Sequence, residues 1–173
     1  MHLWLLFPWV GAWAGFGIGF GNVAGYTGDG VPFTHCNGKG EVRQAECEAM
    51  SAAFFRELNQ IRNSKGLKRL RRDEVMERRL TVPHNEWQRR RGDISHGRGA
   101  MSMSRRSQRA GFGKYALGEC VASSSYDVPN FVSQYRGSPP HWALLMDRDF
   151  LFIAVSTLYD AGSGTYYSAV NLR

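Results

Sequence analysis

Cysteine, serine and basic side chains show first what chemistry this chain could carry. There are three cysteines, Cys36, Cys47 and Cys120, and no two of them form a C-x-x-C pair. A zinc ribbon or thioredoxin-type dithiol therefore lacks its spacing. No G-x-S-x-G occurs, so a serine held in a nucleophile elbow is also unsupported. Cys36 and Cys47 lie eleven positions apart in a Gly-rich, polar stretch. If the chain is exported they can close a local disulfide and leave Cys120 as a buried thiol. The formal net charge is +7, and most of the excess lies in 65–72 and in Arg89, Arg90 and Arg91 followed by Arg98, Arg105, Arg106 and Arg109. Such a balance suits nucleic acid, anionic lipid or an acidic wall polymer. No aromatic residue interleaves the first run, so a base-stacking groove is not indicated. Nucleic acid is the weakest partner class, resting on charge alone. Charge runs of this kind are most often solvated faces.

The elements that must position any such chemistry follow from the pattern. With 173 residues, 43% hydrophobic and 21% charged, the chain suffices for one well-buried domain with length left over. The first charged side chain is Asp29, and 3–25 is almost wholly apolar. Residues 1–25 read as a leader in three ways. Ala12-Trp13-Ala14 offers the small-x-small pattern of a signal cleavage site. The length suits a membrane anchor making contact through 3–25, with glycines at four-residue spacing that permit close helix packing. An apolar arm buried in an assembly is the third. Residues 26–44 read as a linker or arm, and 45–173 as the domain.

Within the domain, Phe54, Leu58 and Ile61 mark the buried stripe of a helix over 45–64. Asp73 suits the N-cap of a second helix carrying Met76, Leu80, His84 and Trp87 inward. Pro83 should kink that helix or restart it there, and Gly92 should end it. A polar loop is expected over 97–110, a strand over 115–123, a short helix over 128–135 capped by Asp127, and a turn at 138–141. Two β-prone runs, 151–159 and 165–172, form a terminal hairpin. Helices ahead of a hairpin give an α+β class.

Several ordered segments resemble one family. FFRELNQIRNSKGLKRL (54–70) is similar to an opening N-x-x-R helix that ends at Gly-Leu. PHNEWQRRRGDISH (83–96) resembles that family's second helix with its closing Ser-His, and RAGFGKYALGEC (109–120) its approach to a Gly-Glu strand. FVSQYRGSPPHWALLMDRDFLFIAVS (131–156) and TYYSAVNL (165–172) resemble its last helical segment and closing strands. The family is the CAP (SCP/PR-1-like, cysteine-rich secretory protein) superfamily, and the likeness is nearest to its short bacterial-type members.

The resemblance implies a three-layer α-β-α sandwich with a small antiparallel sheet and a central cleft. It places His96, Glu119 and His141 in that cleft, with Tyr135 and Ser138 beside them. These three are 23 and 22 positions apart, so only the fold can join them. Two imidazoles and a carboxylate match a zinc-type ligand set, which would use His96 and His141, with Glu119 as a further ligand. The implied protein is secreted or surface-associated, membrane-anchored if the leader is retained. Its implied role is non-enzymatic binding of an apolar ligand such as a lipid or sterol, or of a cell-surface or wall component. Two alternatives stand beside it: a hydrolase using His96, Glu119 and His141, and a structural subunit docked through its apolar arm. The chain departs from the family pattern in lacking a second cleft glutamate over 130–135, and in placing Tyr135, Cys120 and Ala154 where Trp, Asn and Gly are usual.

Overall fold

The computed structural model describes residues 25–26, 32–33, 41–113, 115, 117–125 and 129–173; the leader readings and Cys36 lie outside the described residues. In chain order these form β1 (Gly25–Tyr26), β2 (Pro32–Phe33), α1 (Glu41–Ser64), β3 (Arg71–Arg72) and α2 (Glu74–Met76). A π-turn over Glu77–Thr81 joins α2 to α3 (Val82–Arg91). A 3₁₀ turn (Gly99–Met101) leads to α4 (Met103–Arg109), then β4 (Gly118–Ser124), α5 (Phe131–Arg136), α6 (Pro139–Leu145), β5 (Phe152–Asp160) and β6 (Thr165–Leu172).

Among the described residues β1 and β2 pair with each other, and the main sheet has the order β3-β5-β6-β4. β4, β6 and β5 run antiparallel, while β3 joins the edge parallel to β5. The sheet is therefore small but not purely antiparallel. The connector after α1 is drawn onto β5 by Arg71 and Asp73 N–H bonds to Leu151 and Ile153 carbonyls.

Strand alternation divides the core. Cys120, Ile153, Val155, Val170 and Leu172 face α1 and α5, packing with Phe54, Leu58, Phe131, Val132 and Tyr135. Glu119, Ser156, Tyr167 and Asn171 have the opposite parity and meet the α2–π–α3 helix, the last three through hydrogen bonds and Glu119 through a close contact with His84. One face is thus a conventional apolar core, at about 1.5–3 kcal/mol per large buried side chain. The other joins a small apolar cluster of Met76, Leu80, Phe112 and Ala154 to a polar stretch that is closed to water: Thr81, His84, Asn85, Gln88, Glu119 and Asn171 are all buried. Such an interface must satisfy its own donors and acceptors.

Most expected elements stand, with instructive shifts. Asp73 caps the second helix, accepting from the Met76 N–H at 2.9 Å. The second helix restarts around Pro83 as α3. The proline sits in the first turn of α3, where a missing N–H costs least, directly after the π-turn. Gly92 ends α3 in the left-handed region at φ 66°. The 97–110 stretch is not a plain loop but holds the 3₁₀ turn and α4. The 138–141 turn is the start of α6, for Pro139 and Pro140 suit its first positions. Asn130, not Asp127, caps α5, accepting from the Ser133 N–H at 2.8 Å; Asp127 lies outside the described residues. No helix of the described residues is long and apolar enough to cross a membrane.

Candidate functional site

Glu119 sits on the edge strand β4 with its side chain 1% exposed, and four residues converge on its carboxylate. Arg106 donates through Nη1 and Nη2 to Oε2 and through Nη2 to Oε1, each at 2.9 Å. His96 donates from Nδ1 to Oε1 at 3.0 Å. Asn171, on the neighbouring strand, donates to Oε2 at 3.1 Å and accepts from Thr81 Oγ1 at 3.0 Å. His84 Nδ1 lies 3.1 Å from Oε2. This is a close contact that does not meet hydrogen-bond geometry.

The helices hold these groups in place. His84 comes from the buried stripe of α3, and its Nε2 donates to the Ser95 carbonyl at 2.9 Å. Gln88, one turn on, accepts from the Ser95 N–H at 3.1 Å. The residue before His96 is thereby tied to α3 twice. Arg106 adds bonds to the Met101 and His96 carbonyls at 2.8 and 3.1 Å, and so closes the 97–109 segment over the sheet. Gly97 makes this closure possible. Its φ is +75°, and a Cβ there would lie 2.1 Å from the Met101 carbonyl oxygen.

Burial alone would raise the Glu119 carboxyl. The His84 and His96 contacts and the Arg106 charge outweigh it and hold Glu119 well below the usual carboxylate range. His96 is raised, first by its bond to Glu119, against burial and the Arg106 charge. His141 is lowered, by burial and then by the charge of His96. Cys120 is a free thiol pushed up to about 12, by burial and then by Glu119.

Of the residues expected in a cleft, the structure joins two. His96 meets Glu119 directly, with its side chain 57% exposed. His141 lies round the free edge of β4, its ring 5.4 Å from that of Tyr135, with no hydrogen bond to Glu119 or His96 among the described residues. Tyr135 is a core residue at 1% exposure, and Ser168 Oγ accepts from its hydroxyl at 3.2 Å. Ser138 is the half-buried N-cap position of α6, and its side chain makes no capping bond. The zinc-type set fits poorly. Both Glu119 oxygens are already occupied by donors, and no group of three or more His, Cys, Asp or Glu suited to a metal occurs among the described residues.

Sequence reasoning missed His84, Arg106 and Asn171. His84 was visible as an inward position of the second helix, and Thr81, Asn85 and Gln88 on that helix marked a buried polar face. Arg106 lies in a charge run with Arg98, Arg105 and Arg109 that reads as a solvated face, but it is 6% exposed and neutralised by Glu119.

The histidines titrate in opposite directions. An NMR titration should place the His96 midpoint above 6.5 and that of His141 below it. Because the folded value of His96 is raised, its stabilisation is complete below the unfolded value and fades as pH rises through the folded one. His96→Gln should therefore flatten the decline in melting temperature above pH 6.5. An equally steep decline in the variant refutes the assignment.

A small sheet with helices on both faces, and a buried glutamate bonded to the histidine that follows the second helix, define a CAP-type fold. No protein-family model and no curated protein matches the chain. Solved structures do. An outer surface protein of Borrelia burgdorferi aligns at 18% identity with a TM-score of 0.61, over 72% of this chain and 91% of that one. An extracellular protein containing an SCP domain from Bacillus anthracis aligns at 19% identity with a TM-score of 0.67, over 79% of this chain. A cysteine-rich secretory protein from Staphylococcus aureus gives 15% identity and a TM-score of 0.60 over 73% of this chain. The alignments cover only 45% and 39% of the last two proteins.

Proposed function

We propose that this chain is an exported, surface-associated CAP-type module that binds its ligand without transforming it. The observation that carries the reading is the saturation of Glu119. A carboxylate held by Arg106, His96, His84 and Asn171 and kept well below the usual range is a poor general base toward water. Its role is to fix the 96–109 segment and the outward ring of His96. Export is supported by the neighbours, which are described as outer surface, extracellular and secretory proteins. The partner class is an apolar ligand such as a lipid or sterol, or a cell-surface or wall component. It would be met at the β4 edge, where His96 and His141 are partly exposed.

A turnover screen with peptides, esters and wall fragments tests this reading. The expected result is no activity that depends on Glu119. Any turnover abolished by Glu119→Gln in a protein of unchanged melting temperature overturns it. For export, protease treatment of intact source cells should remove the protein, and full protection would refute surface exposure.

A further inference from the structure

A cavity of about 410 Å³ opens between the second helix and α4, with His84 and Arg106 in its lining. That volume lies in the range of small-molecule sites. Leu80, Pro83 and Met101 supply apolar wall, the buried Arg106 belongs to its inner lining, and Arg79 and Arg109 line it as exposed guanidiniums. No carboxylate lines it.

The charges there do not balance. Arg106 is matched by Glu119. Arg79 and Arg109 have no acidic partner among the described residues, although the adjacent Arg78 pairs with Glu74. Arg109 has only neutral acceptors, the Ala100 carbonyl and the Met101 sulfur. Two unmatched guanidiniums thus share one cavity with an apolar wall. A guanidinium fork matches phosphate geometry. A phosphate monoester carries about −1.5 to −2 at neutral pH, which would balance both. A single carboxylate would balance one.

We infer that this cavity binds a phosphate monoester bearing a compact apolar group, with Arg79 and Arg109 clasping the phosphate and Leu80, Pro83 and Met101 covering the substituent. The lining does not include His96 or His141, although His84 and Arg106 also contact Glu119.

Phenyl phosphate is the probe, titrated calorimetrically into the full chain at low salt, with inorganic phosphate, benzoate and phenol as parallel arms. Phenyl phosphate should saturate one site and bind at least about fivefold more tightly than any other arm, a margin of about 1 kcal/mol. Arg79→Gln/Arg109→Gln should weaken it by about tenfold or more, while Lys65→Gln, at an exposed cation outside the lining, leaves it within about twofold. Arg79→Lys/Arg109→Lys, which keeps the charge and loses the fork, should fall between. Both arginines are exposed, so these variants should melt with the wild type. The proposal is overturned by absence of saturable binding at millimolar phenyl phosphate. It is equally overturned by inorganic phosphate, benzoate or phenol binding as well as phenyl phosphate, or by affinity that survives loss of both arginines.

Discussion

Arg106→Met should lower the free energy of unfolding by about 3–5 kcal/mol at neutral pH, the cost typical of removing one partner from a buried ion pair. The variant leaves Glu119 in place with its side chain 1% exposed and withdraws the guanidinium that contacts both its oxygens. The Met101 and His96 carbonyls lose their donor in the same step. Methionine keeps most of the volume, so the loss reports charge and hydrogen bonding rather than a cavity. The pH dependence fixes the cause. Glu119 has a depressed folded value, so its stabilisation is present above the ordinary 4.5 and is lost as pH falls below it. The gap between wild type and Arg106→Met should therefore be widest at neutral pH and shrink on acidification below 4.5. Adding Glu119→Gln to Arg106→Met should recover part of the loss, since the double variant holds no unpaired buried charge. Urea melts of the four proteins across pH measure all of this. A pH-independent gap, or a double variant as unstable as the sum of the singles, rejects the ion-pair account.

The same residues show how far sequence alone could reach. Period-based reasoning found α1, the second helix, α5 and the terminal hairpin, because each carries an apolar stripe or a β-branched run. It lost α4, whose seven residues, MSRRSQR, have no apolar stripe. That helix is held from outside by Arg106 reaching the edge strand. It also misread the 138–141 segment, where two prolines looked like a turn although both fit the opening of a helix. In the site, the pairing of His96 with Glu119 was legible because it follows the motif order that a CAP-type fold imposes. His141 belongs to the same motif order but sits on the other side of the β4 edge. Asn171 lies opposite Glu119 in the β4–β6 register. Only the strand alignment makes such a partner visible.

Arg62→Met should cost about 3 kcal/mol, from the loss of charge-assisted bonds to carbonyls at roughly 1.5–3 kcal/mol each, offset by release of a buried cation. Arg62 closes the N-x-x-R motif of α1 and is 0% exposed. Its Nε donates to the Lys68 carbonyl at 3.0 Å, and its Nη1 donates to those of Leu145 and Asp147 at 2.7 and 2.9 Å. Asn59, the other motif residue, brackets Leu70 by donating to its carbonyl at 3.1 Å and accepting from its N–H at 2.8 Å. The motif is therefore a backbone clamp: it sets the connector that becomes β3 and the chain leaving α6. Burial lowers the Arg62 pKa, with the Asp147 charge opposing, and its hydrogen bonds among the described residues go to backbone carbonyls. Lysine lacks the fork and cannot serve both segments at once. Arg62→Lys should thus lose about half as much as Arg62→Met, despite keeping the charge. Hydrogen exchange should localise the damage in both variants to 68–70 and 145–147, with the Glu119 cluster unaffected. If Arg62→Lys is as stable as wild type, charge rather than the fork holds these segments, and the clamp reading of the motif fails.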